Sequence, residues 1–497
     1  MRSRILAVAL LALPALAFAQ GSLTPPGGPA ETMKTLDQLE ARTPVQKGSP
    51  GVNTQANGGF TLDRPGSYYL TTGFSVTSGN ALTIAASDIT LDLGGFTLSS
   101  TASPAEGSAI LIQASLSNVR IHHGQIRSTT TYTAPSFTLG GFYGGIFAQD
   151  FTDTCRIDNI AIRGVALSGI YLPGENSAVR DCSVVTCGSS GIVAANIHSS
   201  TAQICGATAI RGMTVADCVG ATVADTGEGI SAVTASNCRG TGKGSHGVYT
   251  TSAALNCAGR STDGIGLYSL GSATNCTGAS ISGTGLHALL AQSCTGTSSS
   301  AAGVLAIQTA ENCYGETATG PYGLACGRAA TNCFGNTTTG TATAFGLYAD
   351  IATGCFGFST TGSAGLFAKN ATNCIGTTAT GTYGLHALKL ATNCTGTITS
   401  TAGGTAGLRT GIASHCTGEN LSTTANTYGL YATQSAHYSN GGGVIGMFAS
   451  VSASYCHGTA STIGGVAIQV GAVGSGIAVC CTSGAGTITA VSKYLMP

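Results

Sequence analysis

Residues 371–396 read ATNCIGTTATGTYGLHALKLATNCTG and hold one complete repeat between two copies of the same Asn-Cys-x-Gly text. The cysteine of this text recurs in ten steps that cover 198 residues, or 19.8 residues per step. A fixed period of about 20–50 residues is typical of repeat architectures, so the period decides the fold class. The cysteines of this ladder are Cys218, Cys238, Cys257, Cys276, Cys294, Cys313, Cys333, Cys355, Cys374, Cys394 and Cys416.

A second ladder, glycine followed by an aliphatic residue, runs in phase with the cysteines. From each of these glycines, such as Gly365 and Gly384, the next ladder cysteine follows after 9 or 10 residues. The distance from a cysteine to the next glycine varies more and reaches 13 residues. Differences in length between repeats therefore fall in the Gly/Thr/Ser stretch after the cysteine, which indicates that one corner of each turn can form a loop of variable length. Apolar residues alternate at Leu366 and Ala368, which is the period of a β-strand.

These features predict an all-β chain that folds as a single-stranded, right-handed parallel β-helix. Units of about 20 residues are too short for propeller blades, which need about 40–45 residues, and the region lacks the aspartates of calcium-binding repeats. The right-handed coil follows from the strong preference of parallel crossovers for that hand. With upstream turns included, we expect 18–20 rungs of about 20 residues, stacked about 4.8 Å apart.

The charge content excludes several classes of function. Lys, Arg, Asp and Glu make up 8% of the 497 residues, with 20 cations balanced by 20 anions, against about 25% in ordinary soluble domains. A neutral chain without basic runs argues against nucleic acid or an anionic membrane as the main partner. Only nine of the 40 charges follow residue 263. Charge-dependent chemistry is therefore expected before the regular repeats.

The N-terminus has the three parts of a secretory signal. Arg2 and Arg4 precede an apolar stretch, and Ala17-Phe18-Ala19 forms a small-x-small cleavage site. We expect a signal peptide at residues 1–19 and a secreted product, at the cell surface, outside the cell or in the periplasm, with no transmembrane segment after cleavage. Residues 20–57 are predicted as a linker that contains a short capping helix at 30–42, because Met33, Leu36 and Leu39 recur at helical spacing.

The segments upstream of the ladder resemble a known family. RPGSYYLTTGFSV (64–76), SDITLDLGGFTLS (87–99) and SNVRIHHGQIRS (117–128) are similar to the opening turns of bacterial right-handed parallel β-helix repeat proteins. These proteins form the pectate-lyase-like superfamily, and the resemblance covers about residues 58–497. It implies the fold, whereas the superfamily contains lyases, hydrolases, epimerases, tailspikes and adhesins. Activity must therefore be argued from a site.

The cysteine and asparagine ladders each have a structural interpretation. No CxxC pair occurs, which argues against zinc. A secreted chain can form disulfides. Stacked side chains, however, point the same way and not toward each other, so a column of mostly reduced, buried thiols is favoured. Cys480 and Cys481 cannot both face inward. Asparagine precedes many ladder cysteines and is expected to hydrogen-bond along a corner; these residues are Asn237, Asn256, Asn275, Asn312, Asn332, Asn373 and Asn393.

The residue between the aliphatic position and the following alanine should face outward and gives a stripe of rings. One interpretation is that neighbouring rings stack and cover that sheet. The other is a surface that binds a sugar or a partner, because flat rings pack on pyranose faces. Leu305 and Ala325 interrupt the stripe. The candidate ligand-binding residues are Tyr249, Tyr268, His287, Tyr348, Phe367, His386 and Tyr431.

Candidate catalytic residues are confined to the charge-dense stretch 150–181. Lyases and hydrolases of this fold need clustered carboxylates, with a basic residue or a second carboxylate beside the scissile bond. If DNIAI (158–162) stacks under RDCSV (180–184), Asp158 lies beside Arg180, with Asp181 next to them. An ordinary ion pair on a solvated face explains the same residues. No metal site and no cofactor is predicted.

Two functions from different classes remain. The first is an exported, non-catalytic β-helix that acts as a structural or adhesive rod, or contacts a polysaccharide or cell-surface glycan. The alternative is a polysaccharide lyase or glycoside hydrolase that uses the 150–181 stretch. Nucleic acid is not an expected partner, and the sequence leaves the oligomeric state open.

Overall fold

A computed structural model of the chain describes residues 42–150, 153–339, 341–401, 404–462, 465–471, 477–490 and 492–494. The predicted signal peptide at 1–19 lies outside these residues. The predicted capping helix at 30–42 also lies outside them, apart from its last residue.

The described chain is an all-β parallel solenoid of about 21 turns with no helix, slightly more turns than the repeat count predicts. Parallel hydrogen-bonded pairing links 51 of its 53 strands into one coil, with one antiparallel pair at its start, and β11 and β12 form a separate hairpin. At about 4.8 Å per turn, the coil extends for roughly 100 Å. The prediction of a parallel β-helix is therefore confirmed.

The strands before the regular repeats differ in length and spacing. They are β1 (Thr43–Pro44), β2 (Val52–Thr54), β3 (Phe60–Leu62), β4 (Gly66–Tyr69), β5 (Phe74–Val76), β6 (Leu82–Ile84), β7 (Ile89–Asp92), β8 (Thr97–Ser100), β9 (Ser108–Ile112), β10 (Val119–Arg127), β11 (Thr131–Thr133), β12 (Ser136–Thr138), β13 (Gly144–Ala148), β14 (Arg156–Val165), β15 (Ile170–Tyr171), β16 (Ala178–Arg180), β17 (Ser183–Cys187), β18 (Ile192–Val193), β19 (Asn196–His198) and β20 (Thr201–Cys205).

The regular turns mostly alternate a long strand with a four-residue strand. They are β21 (Ile210–Ala216), β22 (Val219–Thr222), β23 (Ile230–Ser236), β24 (Arg239–Gly242), β25 (Val248–Leu255), β26 (Ala258–Ser261), β27 (Leu267–Thr274), β28 (Thr277–Ser280), β29 (Leu286–Gln292), β30 (Thr295–Ser298), β31 (Val304–Glu311), β32 (Tyr314–Thr317), β33 (Tyr322–Cys326), β34 (Ala329–Thr331), β35 (Phe334–Thr337), β36 (Phe345–Thr353), β37 (Phe356–Ser359), β38 (Ala364–Thr372), β39 (Ile375–Thr378), β40 (Tyr383–Thr392), β41 (Thr395–Ile398), β42 (Ala406–Ser414) and β43 (Thr417–Asn420).

After the ten-residue β44, the strands of the last turns are shorter and less regular. They are β44 (Tyr428–His437), β45 (Asn440–Gly443), β46 (Ile445–Ala449), β47 (Ser452–Ser454), β48 (His457–Ala460), β49 (Val466–Val470), β50 (Ile477–Val479), β51 (Thr482–Ala485), β52 (Thr487–Thr489) and β53 (Ser492–Tyr494).

Strand pairing begins inside the segment predicted as a linker. β1 pairs in parallel with β4, and β2 pairs antiparallel with β3. Val52 is buried and belongs to the hydrophobic core. The sequence predicts that the solenoid starts at residue 58, whereas its strand pairing begins upstream of that residue.

One regular turn, β38 with β39, shows how the repeat builds the core. Leu366, Ala368, Ala371 and Cys374 point inward and are fully buried. Each lies in a column with its counterparts above and below, as in the register of Leu366 with Leu347 and Leu385. Stacked columns of similar side chains leave no exposed apolar surface between turns, which accounts for a core built largely from Leu, Ala and Cys.

The ladder cysteines form a column of free, buried thiols. All 19 cysteines are unpaired, and only Cys480 is more than slightly exposed while Cys481 is buried. Thiols donate hydrogen bonds to backbone carbonyls two residues earlier, as Cys276 does to Thr274 at 3.2 Å. Ser200 and Ser439 occupy the same corner position, after residues of positive φ. The thiols therefore lie in a buried column, as the sequence predicts.

The asparagines that precede ladder cysteines have a left-handed backbone. Asn256, Asn275 and Asn332 have φ values of 52°, 53° and 50°, and Gly354 takes the same place with φ 62°. Asparagine tolerates this conformation better than most residues, so the backbone corner explains the ladder. Hydrogen bonds along the ladder also occur: Asn256 Nδ2 donates to Asn237 Oδ1 at 3.1 Å.

A column of glycines allows the short strand to pass close to the long one. A Cβ added at Gly376, at the second position of β39, would collide with the carbonyl oxygen of Gly384. Gly357 and Gly396, its neighbours in register, have the same kind of contact. The glycine of Cys-x-Gly is therefore required by close backbone approach. Among the described residues, none lies in a helix long and apolar enough to cross a membrane.

Candidate functional site

The charged residues of the early turns meet on the outer face of β10, β14, β16 and β19. Arg120 is in register with Arg156, and Asp158 is in register with Arg180. Alternate residues of these strands point outward, so the charged side chains share one face. The predicted neighbourhood of Asp158 and Arg180 is thus confirmed.

These side chains line a groove of about 350 Å³. Arg120 Nε donates to Asp158 Oδ2 at 3.0 Å, with the Arg120 side chain 55% exposed and that of Asp158 24% exposed. Three arginines and one carboxylate therefore line the groove, which leaves an excess of positive charge. The lining residues are Arg120, Arg156, Asp158, Asn176, Ala178, Arg180 and Asn196.

Histidine side chains extend the same outward row. His122 is in register with Asp92 on one side and Asp158 on the other, and His198 follows Arg180. His122 Nδ1 lies 3.7 Å from Asp92 Oδ1. Burial lowers the pKa of His122 despite the neighbouring Asp92, which favours the neutral imidazole. The row can therefore offer a neutral imidazole beside the arginine groove.

Asp181 does not line this groove, unlike Asp158 and Arg180. It occupies the left-handed corner before Cys182, with φ 52°, and its side chain is exposed. Asp217 takes the equivalent corner in a later turn, with φ 55°. The left-handed backbone at this corner accounts for the aspartates, because aspartate and asparagine tolerate that conformation.

The residues of the predicted stripe lie in one row, where several neighbouring rings stack face to face and others meet tilted or edge-on, as Phe367 and His386 do at 89°. Tyr268 and His287 have centroids 4.8 Å apart at 23°, and Tyr348 and Phe367 have centroids 5.1 Å apart at 3°. Tyr249, His386 and Tyr431 share the row, and all seven candidates are half-buried. Stacked rings turn their faces along the solenoid axis and their edges outward, which leaves little flat surface for a pyranose ring.

A second aromatic row, which the sequence analysis missed, packs beside the first. Tyr322, Phe345, Tyr383 and Tyr428 each precede the Gly-Leu pair, and Tyr383 lies 4.6 Å from His386, centroid to centroid. Arg409 Nη1 donates to the Tyr383 hydroxyl at 2.7 Å, and its guanidinium lies over that ring. The recurring aromatic-Gly-Leu text was the signal for this row.

Burial determines the state of several side chains outside the groove. It raises the pKa of the Cys155 and Cys182 thiols to about 12 in each case. Burial, with Arg409 second, lowers the pKa of His386 to about 4. Among the described residues, no three His, Cys, Asp or Glu side chains converge as a metal site would require.

Comparison with known proteins adds little to this geometry. No family model matches the chain, and no curated protein matches it. The A-module of the mannuronan C-5 epimerase AlgE6 of Azotobacter vinelandii aligns with 72% of this chain and 86% of its own, at 11% identity and a TM-score of 0.23. A superposition this loose carries no argument about activity or substrate. Function must therefore be argued from the grooves and surfaces of this chain.

Proposed function

We propose that this protein is an exported, non-catalytic rod that contacts an acidic glycan through the arginine groove. The observation that carries the proposal is that Arg120, Arg156 and Arg180 line one groove on the outer sheet face with a single carboxylate, Asp158. Guanidinium groups bind carboxylates and sulfates through paired hydrogen bonds, and charge-assisted bonds are stronger than neutral ones. The signal-like N-terminus supports export.

The size and place of the groove also support a chain-like ligand. The lining residues come from β10, β14, β16 and β19 with the turn before β16, so the groove spans about 15 Å along the solenoid. Asn176 and Asn196 add neutral amides that suit the hydroxyl groups of a sugar. The aromatic rows are assigned the role of covering their sheet, because neighbouring rings in these rows pack against each other.

Retention on acidic glycans tests the proposal. We expect the wild-type chain to bind polygalacturonate, alginate or hyaluronan in affinity electrophoresis, more weakly at high salt, and not to bind dextran. Arg156→Gln with Arg180→Gln should weaken binding at least about tenfold, since hydrogen bonds to charged groups contribute about 1.5–3 kcal/mol. Arg239→Gln, on an exposed position of β24, is the matched control and should retain binding.

Two outcomes would contradict this assignment. If no acidic glycan is retained, or if the double arginine variant binds as well as the wild type, the groove is not the contact site. If retention is instead lost when Tyr249, Tyr268 and Tyr348 become alanine in a chain that still folds, the stripe is the glycan-contacting surface.

A lyase or hydrolase is the second candidate, favoured by the row Asp92–His122–Asp158–Arg180. Asp92 and Asp158 are two turns apart, about 10 Å, close to the upper limit for the two carboxylates of an inverting glycosidase. Against this, Asp158 is engaged by Arg120. Release of unsaturated or reducing ends from uronic-acid or neutral glycans, abolished by Asp158→Asn, would replace the non-catalytic proposal with this one.

A further inference from the structure

A second groove, of about 650 Å³, lies on the outer face of the short strands near the C-terminal end. It is formed by β43, β45 and β48, where Glu419, Gly442 and Thr459 are in register. Asn440 of β45 and His457 of β48 line one side, in register with each other. The groove contains none of the residues of the arginine groove.

The groove exists because one side chain is missing from an otherwise filled row. The outward row carries Thr377, Thr397 and Glu419 before Gly442, and Thr459 after it. A Cβ added at Gly442 would meet no atom within 4 Å, and its φ lies outside the left-handed region. Neither backbone conformation nor close packing requires this glycine, unlike Gly441 beside it. A side chain at this position would therefore project into the open space of the groove.

A buried amide at the edge of the groove lacks a hydrogen-bond partner. Asn420 lines the groove and is 2% exposed. Its Oδ1 accepts from the Ser422 backbone at 2.9 Å, while its Nδ2 has no partner. Ile398 in the preceding turn and Gly443 in the next offer no polar side chain at this position. This amide lies on the inward side of β43, next to the outward-facing Glu419, so a molecule in the groove does not reach it and the class of ligand follows from the outward residues.

The chemistry of the lining defines the class of ligand. Glu419 is its one carboxylate and no lysine or arginine lines it, so an anion is disfavoured. An apolar ligand would bury the amide of Asn440 and the hydroxyl of Thr417 without giving them hydrogen-bond partners. Leu421, 57% exposed, supplies an apolar wall. The volume lies within the range of about 300–1,000 Å³ typical of small-molecule sites. An uncharged polyhydroxylated molecule fits all of these features.

We propose that this groove binds one or two units of a neutral saccharide. Glu419 accepts hydrogen bonds from sugar hydroxyl groups, and the exposed Asn440 amide donates to a sugar oxygen. Leu421 and the Gly441–Gly443 backbone pack against the C–H face of the ring. This site is independent of the arginine groove and of any acidic glycan bound there.

Calorimetric titration of the full chain with cellobiose, maltose, lactose and diacetylchitobiose tests the proposal. We expect at least one of them to bind the wild type with a Kd of millimolar or below. Gly442→Thr fills the gap with the residue that the row already carries at Thr397, and it should weaken binding at least tenfold without lowering Tm. Ala279→Thr adds the same side chain on the same row, far from the groove, and should leave binding unchanged.

The remaining outcomes decide against the proposal. Failure of all four neutral disaccharides to bind the wild type would overturn it, as would Gly442→Thr binding as tightly as the wild type. Tighter binding of digalacturonate that is lost in Gly442→Thr would overturn the neutral class. If Gly442→Thr lowers Tm, Glu419→Gln replaces it as the test, and unchanged affinity in that variant would equally overturn the proposal. Loss of polygalacturonate binding in the arginine variants has no bearing on these results.

Discussion

The left-handed corner at Asn373 gives the sharpest test of how the repeat is stabilised. Asn373 has φ 54°, and the preceding turn carries Gly354 at the same corner. Asn373→Ala places a Cβ in a conformation that costs about 1–2 kcal/mol for an ordinary L-residue. Asn373→Gly removes the same amide without this cost. We therefore expect the alanine variant to be less stable by about 1–2 kcal/mol and the glycine variant to stay within about 0.5 kcal/mol of the wild type.

Urea denaturation followed by circular dichroism measures the difference. The midpoint and slope are compared for the two variants and the wild type, because a long repeat array need not unfold in one step. The two variants lose the same side-chain amide, so a difference between them cannot come from the lost hydrogen bonds of the asparagine ladder. If Asn373→Gly is destabilised as much as Asn373→Ala, hydrogen bonding along the asparagine ladder, and not the corner, accounts for the residue.

Three further predictions concern packing, thiols and pH. Gly376→Ala should strongly reduce soluble expression, because its Cβ collides with the Gly384 carbonyl; normal yield and Tm would contradict this. Ellman's reagent should detect at most Cys480 in the native protein and all 19 thiols in denaturant; fewer than about five in denaturant would indicate disulfides. Burial and Arg409 hold the pKa of His386 at about 4, below its unfolded value of 6.5. The free energy of unfolding should therefore decrease as the pH is lowered from 6.5 to 4, and the decrease should be smaller in His386→Gln.

The repeat makes much of this structure predictable. A fixed period places equivalent residues in one column, so the neighbourhood of Asp158 and Arg180 and the shared row of Tyr268 and His287 followed from spacing alone. The buried thiols followed from the same reasoning. Periodicity determines which residues are neighbours, and in a solenoid this is most of the fold.

Other features depended on details that spacing does not contain. Arg120 joins the groove across 38 residues that include the β11–β12 hairpin, so its pairing with Asp158 requires the actual register. The asparagine ladder was interpreted through side-chain hydrogen bonds, whereas its common property is a positive φ. Gly442 is one of 74 glycines, and only its empty surroundings distinguish it from the tightly packed Gly441.

The uniform interior has a consequence for how the chain reaches its native state. Because Leu366 could stack on Leu347 or on Leu385 with equal ease, the regular turns contain little information about which turn belongs beside which. The early turns differ: large residues such as Phe142, Ile121 and Leu93 fill their interior and match only particular neighbours. Assembly from that end would add each identical turn to the one before it, and the irregular start would then set the order of the whole array.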